Sequence, residues 1–221
     1  KKAVTSSITS IKGDDLTAGM GGSTIATALQ GKVPGLTISG SASPNSSNDF
    51  QLRGIASVNA SQSPLVVIDG IPGGDMRAIN QEDIESIDVL KDASAGAIYG
   101  TRAAGGVILI TTKKGNARKQ QPVTFTSNLT LQSPFSLPAF QNRYGVSDGV
   151  ESWGARARMK TYDNAGDFFR TGITAMNAVS VSSGSEQVQN YFSYANTAER
   201  GITGSNRLMR HNFNLRTTTG L

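Results

Sequence analysis

The chain has 221 residues, no cysteine, one histidine (His211) and only 17% charged residues. Zero cysteine excludes disulfides, thiolate metal sites and a catalytic thiol, and one histidine excludes HExxH-type zinc sites and multi-histidine cages. The net charge of +5 is uneven: residues 1–115 hold ten Lys/Arg against ten Asp/Glu, and residues 116–221 hold eleven against six.

The basic residues are dispersed, with no interleaved aromatic platform, which argues against nucleic acid as a partner. No run reaches the ~18–20 apolar residues of a membrane helix. Lys1-Lys2-Ala3 leads straight into polar sequence rather than a signal peptide. Membrane β-strands carry no helical hydropathy signal, so a barrel stays open.

In chain order, Ser23-Thr24 caps a short helix over Ile25–Leu29 that stops at Gly31 and Pro34-Gly35. Strands follow at Leu36–Ser39 and Phe50–Arg53, separated by the loop Gly40–Asn48. Leu65–Asp69 is a buried strand by its β-branched run, turned by Gly70–Gly74. Asn80 and Asp83 mark a helical turn, Ile84–Leu90 a strand, and Asp92–Tyr99 a helix stopped by Gly100. Val107–Thr112 is a strand running into Lys113-Lys114-Gly115. These elements make a mixed α/β unit of about 110 residues, enough for one modest core.

Beyond Gly115 the period becomes two. Val123, Phe125, Leu129 and Leu131 share one face of a strand, and Thr124, Thr126, Asn128 and Thr130 the other. A shorter strand is expected at Ala175–Ser183, then strands at Gln187–Thr197 and Leu208–Thr217. The last places Met209, Phe213 and Leu215 against Arg210, Asn212, Asn214 and Arg216. Ser183–Glu186 and Gly201–Asn206 are turns, and Ser133–Gly172 is a long irregular stretch. Ten-residue strands with one apolar and one polar face fit an outer-membrane barrel, and equally a soluble antiparallel sheet with one wet face.

Chemical motifs are sparse. His211 alternates in phase with Met209 and Phe213, and no G-x-S-x-G elbow is present, which argues against a hydrolase. Gly70–Gly74 lacks the Lys-Ser/Thr of a phosphate loop. Asp14-Asp15 and Asp83-Glu85 lack EF-hand spacing. No enzyme activity, cofactor or metal is expected.

The segment Leu52–Gly115 carries LRG at Leu52–Gly54, S-x-N at Ser57–Asn59, PLVVIDGIP at Pro64–Pro72 and IN-x-x-DIESI-x-VLKDASA at Ile79–Ala95. It ends with IYG-x-RAA-GVILITTKKG running to Gly115. Upstream stands ALQGKVPGL at Ala28–Leu36, and downstream DFFRTG at Asp167–Gly172 and the serine-rich run at Ser180–Glu186. This ordered string closely resembles the SusC-like family of TonB-dependent outer-membrane transporters of Bacteroidota.

The resemblance implies an α+β plug domain, residues 1–115, inside a transmembrane antiparallel β-barrel, twenty-two-stranded in the family. Residues 116–221 would be its first four strands and their loops. It implies a bacterial outer-membrane location, with the plug in the lumen, open to the periplasm and surrounded by outer-membrane lipid. The implied partners are a SusD-like surface lipoprotein and TonB with its inner-membrane proton-driven motor, pulling a segment upstream of Lys1. The implied cargo is oligosaccharide, with peptide as the alternative. Arg53 and Lys91 are expected to lock plug to barrel through carboxylates beyond Leu221. Asn45, Asn48, Asn59, Ser61 and Trp153 are expected to face substrate. Two other readings are a siderophore or cobalamin receptor of the same architecture, which the DIESIDVLKDASA run argues against, and a soluble β-rich scaffold or adhesion module.

Overall fold

The computed structural model describes residues 8–17, 24–39, 49–52, 63–91, 98–116, 122–149, 153–157 and 162–220. The N-terminal half contains β1 (Ile8–Lys12), α1 (Gly13–Thr17), α2 (Ile25–Leu29), β2 (Leu36–Ser39), β3 (Asp49–Leu52), β4 (Leu65–Ile68), β5 (Ile71–Pro72), β6 (Ile84–Leu90) and β7 (Val107–Thr112). Short 3-10 turns lie at Met76–Ala78, Gln81–Asp83 and Gly100–Ala103. The second half contains β8 (Val123–Gln132), a one-turn helix α3 (Asn164–Phe168), β9 (Gly172–Gly184), β10 (Val188–Arg200) and β11 (Arg207–Thr219).

The continuous β-branched runs take the centre of the first sheet. Its order is β1-β6-β7-β4-β5, antiparallel throughout except for the β4–β7 pair. Ile84, Ile87 and Val89 of β6 and Val107, Ile108 and Ile110 of β7 are sealed from solvent. Leu16 of α1, and Ile25, Ala28 and Leu29 of α2, join that core. The β2–β3 hairpin packs Leu36, Ile38 and Phe50 against its edge.

The second sheet is a meander of order β11-β10-β9-β8, antiparallel at every pair. Its alternation is inverted relative to a soluble sheet. On β11, Met209, His211, Phe213 and Leu215 are exposed, while Arg210, Asn212, Asn214 and Arg216 are half-buried. On β10, Tyr191, Ser193, Ala195, Thr197 and Glu199 are buried. The polar face is therefore the covered one.

The expected strands at residues 36–39, 84–90 and 107–112 are present with those limits. Two expectations need correction. The strand expected over Ala175–Ser183 runs thirteen residues, Gly172–Gly184, because ladders on both sides extend a segment whose small residues carry a weak strand signal. The irregular stretch after β8 contains α3, capped by the Asp163 carboxylate accepting from Gly166 N at 3.0 Å. β1, α1 and the two-residue β5 were not expected. β1 has only Ile8 and Ile11 to mark it and is fixed by its ladder to β6. Most of the helix expected over 92–99 lies outside the described residues. Among the described residues, no helix is long and apolar enough to cross a membrane.

Candidate functional site

The covered face of the second sheet meets the first half of the chain through two neighbouring side chains. Tyr191 on β10 and Arg216 on β11 are cross-strand partners, both pointing inward. Each grips a carboxylate of the first half.

Arg216 donates from Nη1 to Asp69 Oδ1 at 2.8 Å and to the Thr112 carbonyl at 3.0 Å. Thr112, at the end of β7, completes the cluster. Its amide donates to Asp69 Oδ1 at 2.9 Å and its hydroxyl to Asp69 Oδ2 at 2.6 Å. The aspartate is held there by turn chemistry. Asp69 and Gly70 have φ of 49° and 87°, the paired left-handed residues of a tight Asp-Gly hairpin between β4 and β5. Partial burial pushes the Asp69 carboxyl up. The Thr112 hydroxyl and amide and the Arg216 guanidinium outweigh it, and the carboxyl sits below its ordinary value.

Tyr191 donates its hydroxyl to Asp83 Oδ1 at 2.9 Å, with Asp83 only 2% and Tyr191 only 3% exposed. Asp83 ends the 3-10 turn after Asn80, and its carbonyl accepts from Lys113 N at 2.7 Å. Lys113 follows Thr112, so backbone joins the two grips into one clasp. Beside them, Thr126 of β8 donates to Glu82 Oε2 at 3.4 Å. Burial pushes the Glu82 carboxyl above its ordinary value, against the pull of Lys113 and Thr126. Further along β11, Asn212 Nδ2 donates to the Ala78 carbonyl at 2.9 Å. The linker between the two halves passes so close to β10 that a Cβ at Gly115 would lie 2.4 Å from the Asn190 amide nitrogen, so only glycine fits.

Of the residues expected from sequence, Lys91 and Trp153 are described, and both lie away from the clasp. Lys91 is half-buried at the far end of β6 from Asp83, roughly 20 Å along the strand. Trp153 is 70% exposed in the long connection, tilted against Tyr144 with centroids 5.9 Å apart. Arg53, Asn45, Asn48, Asn59 and Ser61 lie outside the described residues. In the clasp the carboxylates belong to the first half and the cation to the sheet. Asp69-Gly70 as a hairpin signal and Arg216 on a polar strand face were visible in the sequence; their meeting was not. Among the described residues, no cluster of three or more metal-ligating side chains occurs. Glu199, buried on the covered face, leaves Oε2 without a partner among them.

A small α+β unit clasped to the polar face of an inside-out antiparallel sheet is the arrangement of a plug against a barrel wall. Residues 1–107 match the family described as TonB-dependent Receptor Plug Domain. The chain is 32% identical to the TonB-dependent receptor SusC of Bacteroides thetaiotaomicron, over 95% of this chain and 22% of that protein. It is 34% identical to a TonB-dependent receptor of Formosa agariphila, over 95% of this chain and 21% of that one. Among solved structures it is similar to the RagAB peptide importer in its closed-closed state. The TM-score is 0.80 at 25% identity, covering 99% of this chain and 29% of that one. Residues 1–107 thus carry the TonB-dependent receptor plug family, and the chain is similar to SusC-like TonB-dependent receptors over nearly its whole length. It spans about one fifth of the length of these curated relatives.

Proposed function

We propose that the chain is the gate of a TonB-dependent outer-membrane importer, with residues 1–115 as plug and 116–221 as the first four strands of the barrel wall. The observation that supports this best is the inverted second sheet, whose polar face carries the Tyr191–Arg216 clasp while Phe125, Phe213 and Leu215 face outward. Outer-membrane lipid covers the outward face. The three-residue turn Ser185–Gln187 marks the periplasmic end, and the long connection over residues 133–171 the extracellular end, following the usual asymmetry of such barrels.

On this reading the clasp lies near the periplasmic end and resists displacement of the plug. TonB, driven by the inner-membrane proton motor, pulls a segment upstream of Lys1, and a SusD-like surface lipoprotein caps the opposite end. Arg53 and Lys91 add a second lock, and Asn45, Asn48, Asn59, Ser61 and Trp153 face the cargo. Oligosaccharide is the cargo implied by the sequence resemblance. Peptide is a second reading, favoured by the likeness to the RagAB peptide importer.

The test is uptake of labelled oligosaccharides and labelled peptides by cells carrying the full-length protein, with TonB present or deleted. TonB-dependent entry of either pool is expected. Absence of entry by both pools overturns the importer reading.

A further inference from the structure

Between the plug and β11 lies a cavity of about 240 Å³, on the far side of Asn212 from the clasp. Its floor is the fringe of the plug core: Ile25, Phe50, Val66, Met76 and Ile79. Its rim is cationic. Arg77 is tied to Asp75 at 3.0 Å, while Arg210 reaches in from the wall and makes no ion pair among the described residues. Arg77, and more distantly Arg210, hold the Asp75 carboxyl below its ordinary value, so the described rim residues carry one net positive charge.

This chemistry selects its occupant. A neutral sugar ring needs aromatic faces and many polar partners. Among the described lining residues Phe50 alone is aromatic, and of the polar side chains, Thr24, Ser63, Asp75, Arg77 and Arg210, Asp75 and Arg77 are already engaged with each other. An apolar side chain gains from contact with the floor, and a carboxylate beside it meets Arg210. We infer that this cavity is a cargo subsite for an apolar residue bearing a free carboxylate, the C-terminal residue of a peptide. The inference rests on the importer reading and deepens its peptide form. Arg210 lies six residues from Arg216, roughly 20 Å toward the end with the long connection, where cargo arrives. The 3-10 turn that supplies Met76 and Arg77 to the cavity is bonded to β11 through Ala78. An occupant therefore presses on a turn that is itself part of the plug–wall contact.

The test is calorimetric titration of the full-length protein in detergent with the peptide Ala-Ala-Ala-Leu, as free acid and as C-terminal amide, beside a neutral glucose tetrasaccharide. The free acid is expected to bind about ten- to hundredfold more tightly than the amide, the weight of a charge-assisted hydrogen bond. Arg210→Gln should bring the acid to the level of the amide, and Met76→Trp, which fills the cavity, should weaken both peptides. Arg207→Gln, on the outward face of the same strand, should preserve the preference. Equal binding of acid and amide, an acid preference that survives Arg210→Gln, or its loss in Arg207→Gln would overturn the subsite. TonB-dependent uptake in the same cells separates the two readings. Uptake with equal binding of acid and amide removes only the subsite, whereas absent uptake removes the importer.

Discussion

In the five-stranded sheet, Ile87, Ile108 and Ile110 point inward and are at most 1% exposed. In the four-stranded sheet, Met209, Phe213 and Leu215 point outward and are 72–74% exposed. The residue chemistry is the same and the direction is opposite. The first sheet hides its apolar face from water in a core of its own. The second exposes its apolar face, which on the proposed reading meets lipid, and turns its polar face to the first half, where Tyr191, Arg216, Thr126 and Asn212 join the two by hydrogen bonds. The proposed gate has reason to be built this way. Directional polar contacts give way one at a time under a pull, whereas an apolar interface would fuse plug to wall.

One row breaks the pattern. Ser127, Asn177, Asn196 and His211 are successive cross-strand partners on the outward face of all four strands. They bond along the row: Ser127 to Asn177 at 2.8 Å, and Asn196 Nδ2 to His211 Nδ1 at 3.3 Å. Tyr194 adds its hydroxyl to His211 Nδ1 at 3.0 Å. Apolar residues flank the row on both sides, and its internal bonds would reduce the cost of facing lipid on the proposed reading.

The largest expected effect is in the first sheet. Ile108→Ala should cost about 2–5 kcal/mol through lost contacts and the cavity left behind, read as faster hydrogen exchange over residues 84–112 in the full-length protein. An unchanged exchange pattern would mean the plug takes its stability from the wall rather than from its own core. The next effect tests the inversion directly. Phe213→Lys should impair folding into lipid vesicles by about 2–4 kcal/mol, the cost of a cation on the lipid face near mid-depth. Asn214→Lys, one residue along but inward, should have little effect. Equal damage from both would mean the outward face does not meet lipid.

The sequence made the central strands of the first sheet and the outer strands of the second legible because each follows one rule over most of its length. Ile84–Leu90 and Val107–Thr112 read as buried strands, and the alternation over Leu208–Thr217 read as a two-faced strand. Periodicity alone does not tell which face is covered, because lumen and water look alike to a polar residue. The resemblance carried that decision. The clasp was illegible for another reason. Asp69 and Arg216 stand 147 positions apart, and nothing local tells a strand arginine which carboxylate it will meet. β1 was missed because a short edge strand is specified by its neighbour's open ladder rather than by its own residues.

The clasp itself should give a middle-sized effect. Arg216→Gln leaves Asp69 without its cation, and Tyr191→Phe leaves a buried carboxylate without its hydroxyl donor. Each should weaken plug seating by about 1–3 kcal/mol, measured as the urea midpoint for plug release from the full-length barrel. The double variant should cost less than the sum of the two, since Thr112 and Lys113 join the grips through backbone. Strict additivity would make them independent pegs.

The smallest effect is one of sign with pH. Asp69 is held below its ordinary value of ~3.9, so its contribution to seating is complete above that pH and is lost as pH falls through the depressed value. Glu82 is pushed the other way by burial. Its contribution is complete below the ordinary glutamate value of ~4.3 and is lost as pH rises through the elevated one. Glu82→Gln should therefore leave seating at neutral pH unchanged or tighter by at most about 1 kcal/mol, and should flatten the decline above ~4.3. Asp69→Asn keeps the tolerance for the left-handed turn and removes the charge, so it should weaken seating at neutral pH. The two isosteric substitutions thus act in opposite directions. If both loosen the plug at neutral pH, Glu82 contributes its charge to the contact, and the electrostatic division between the clasp and its buried neighbour is wrong.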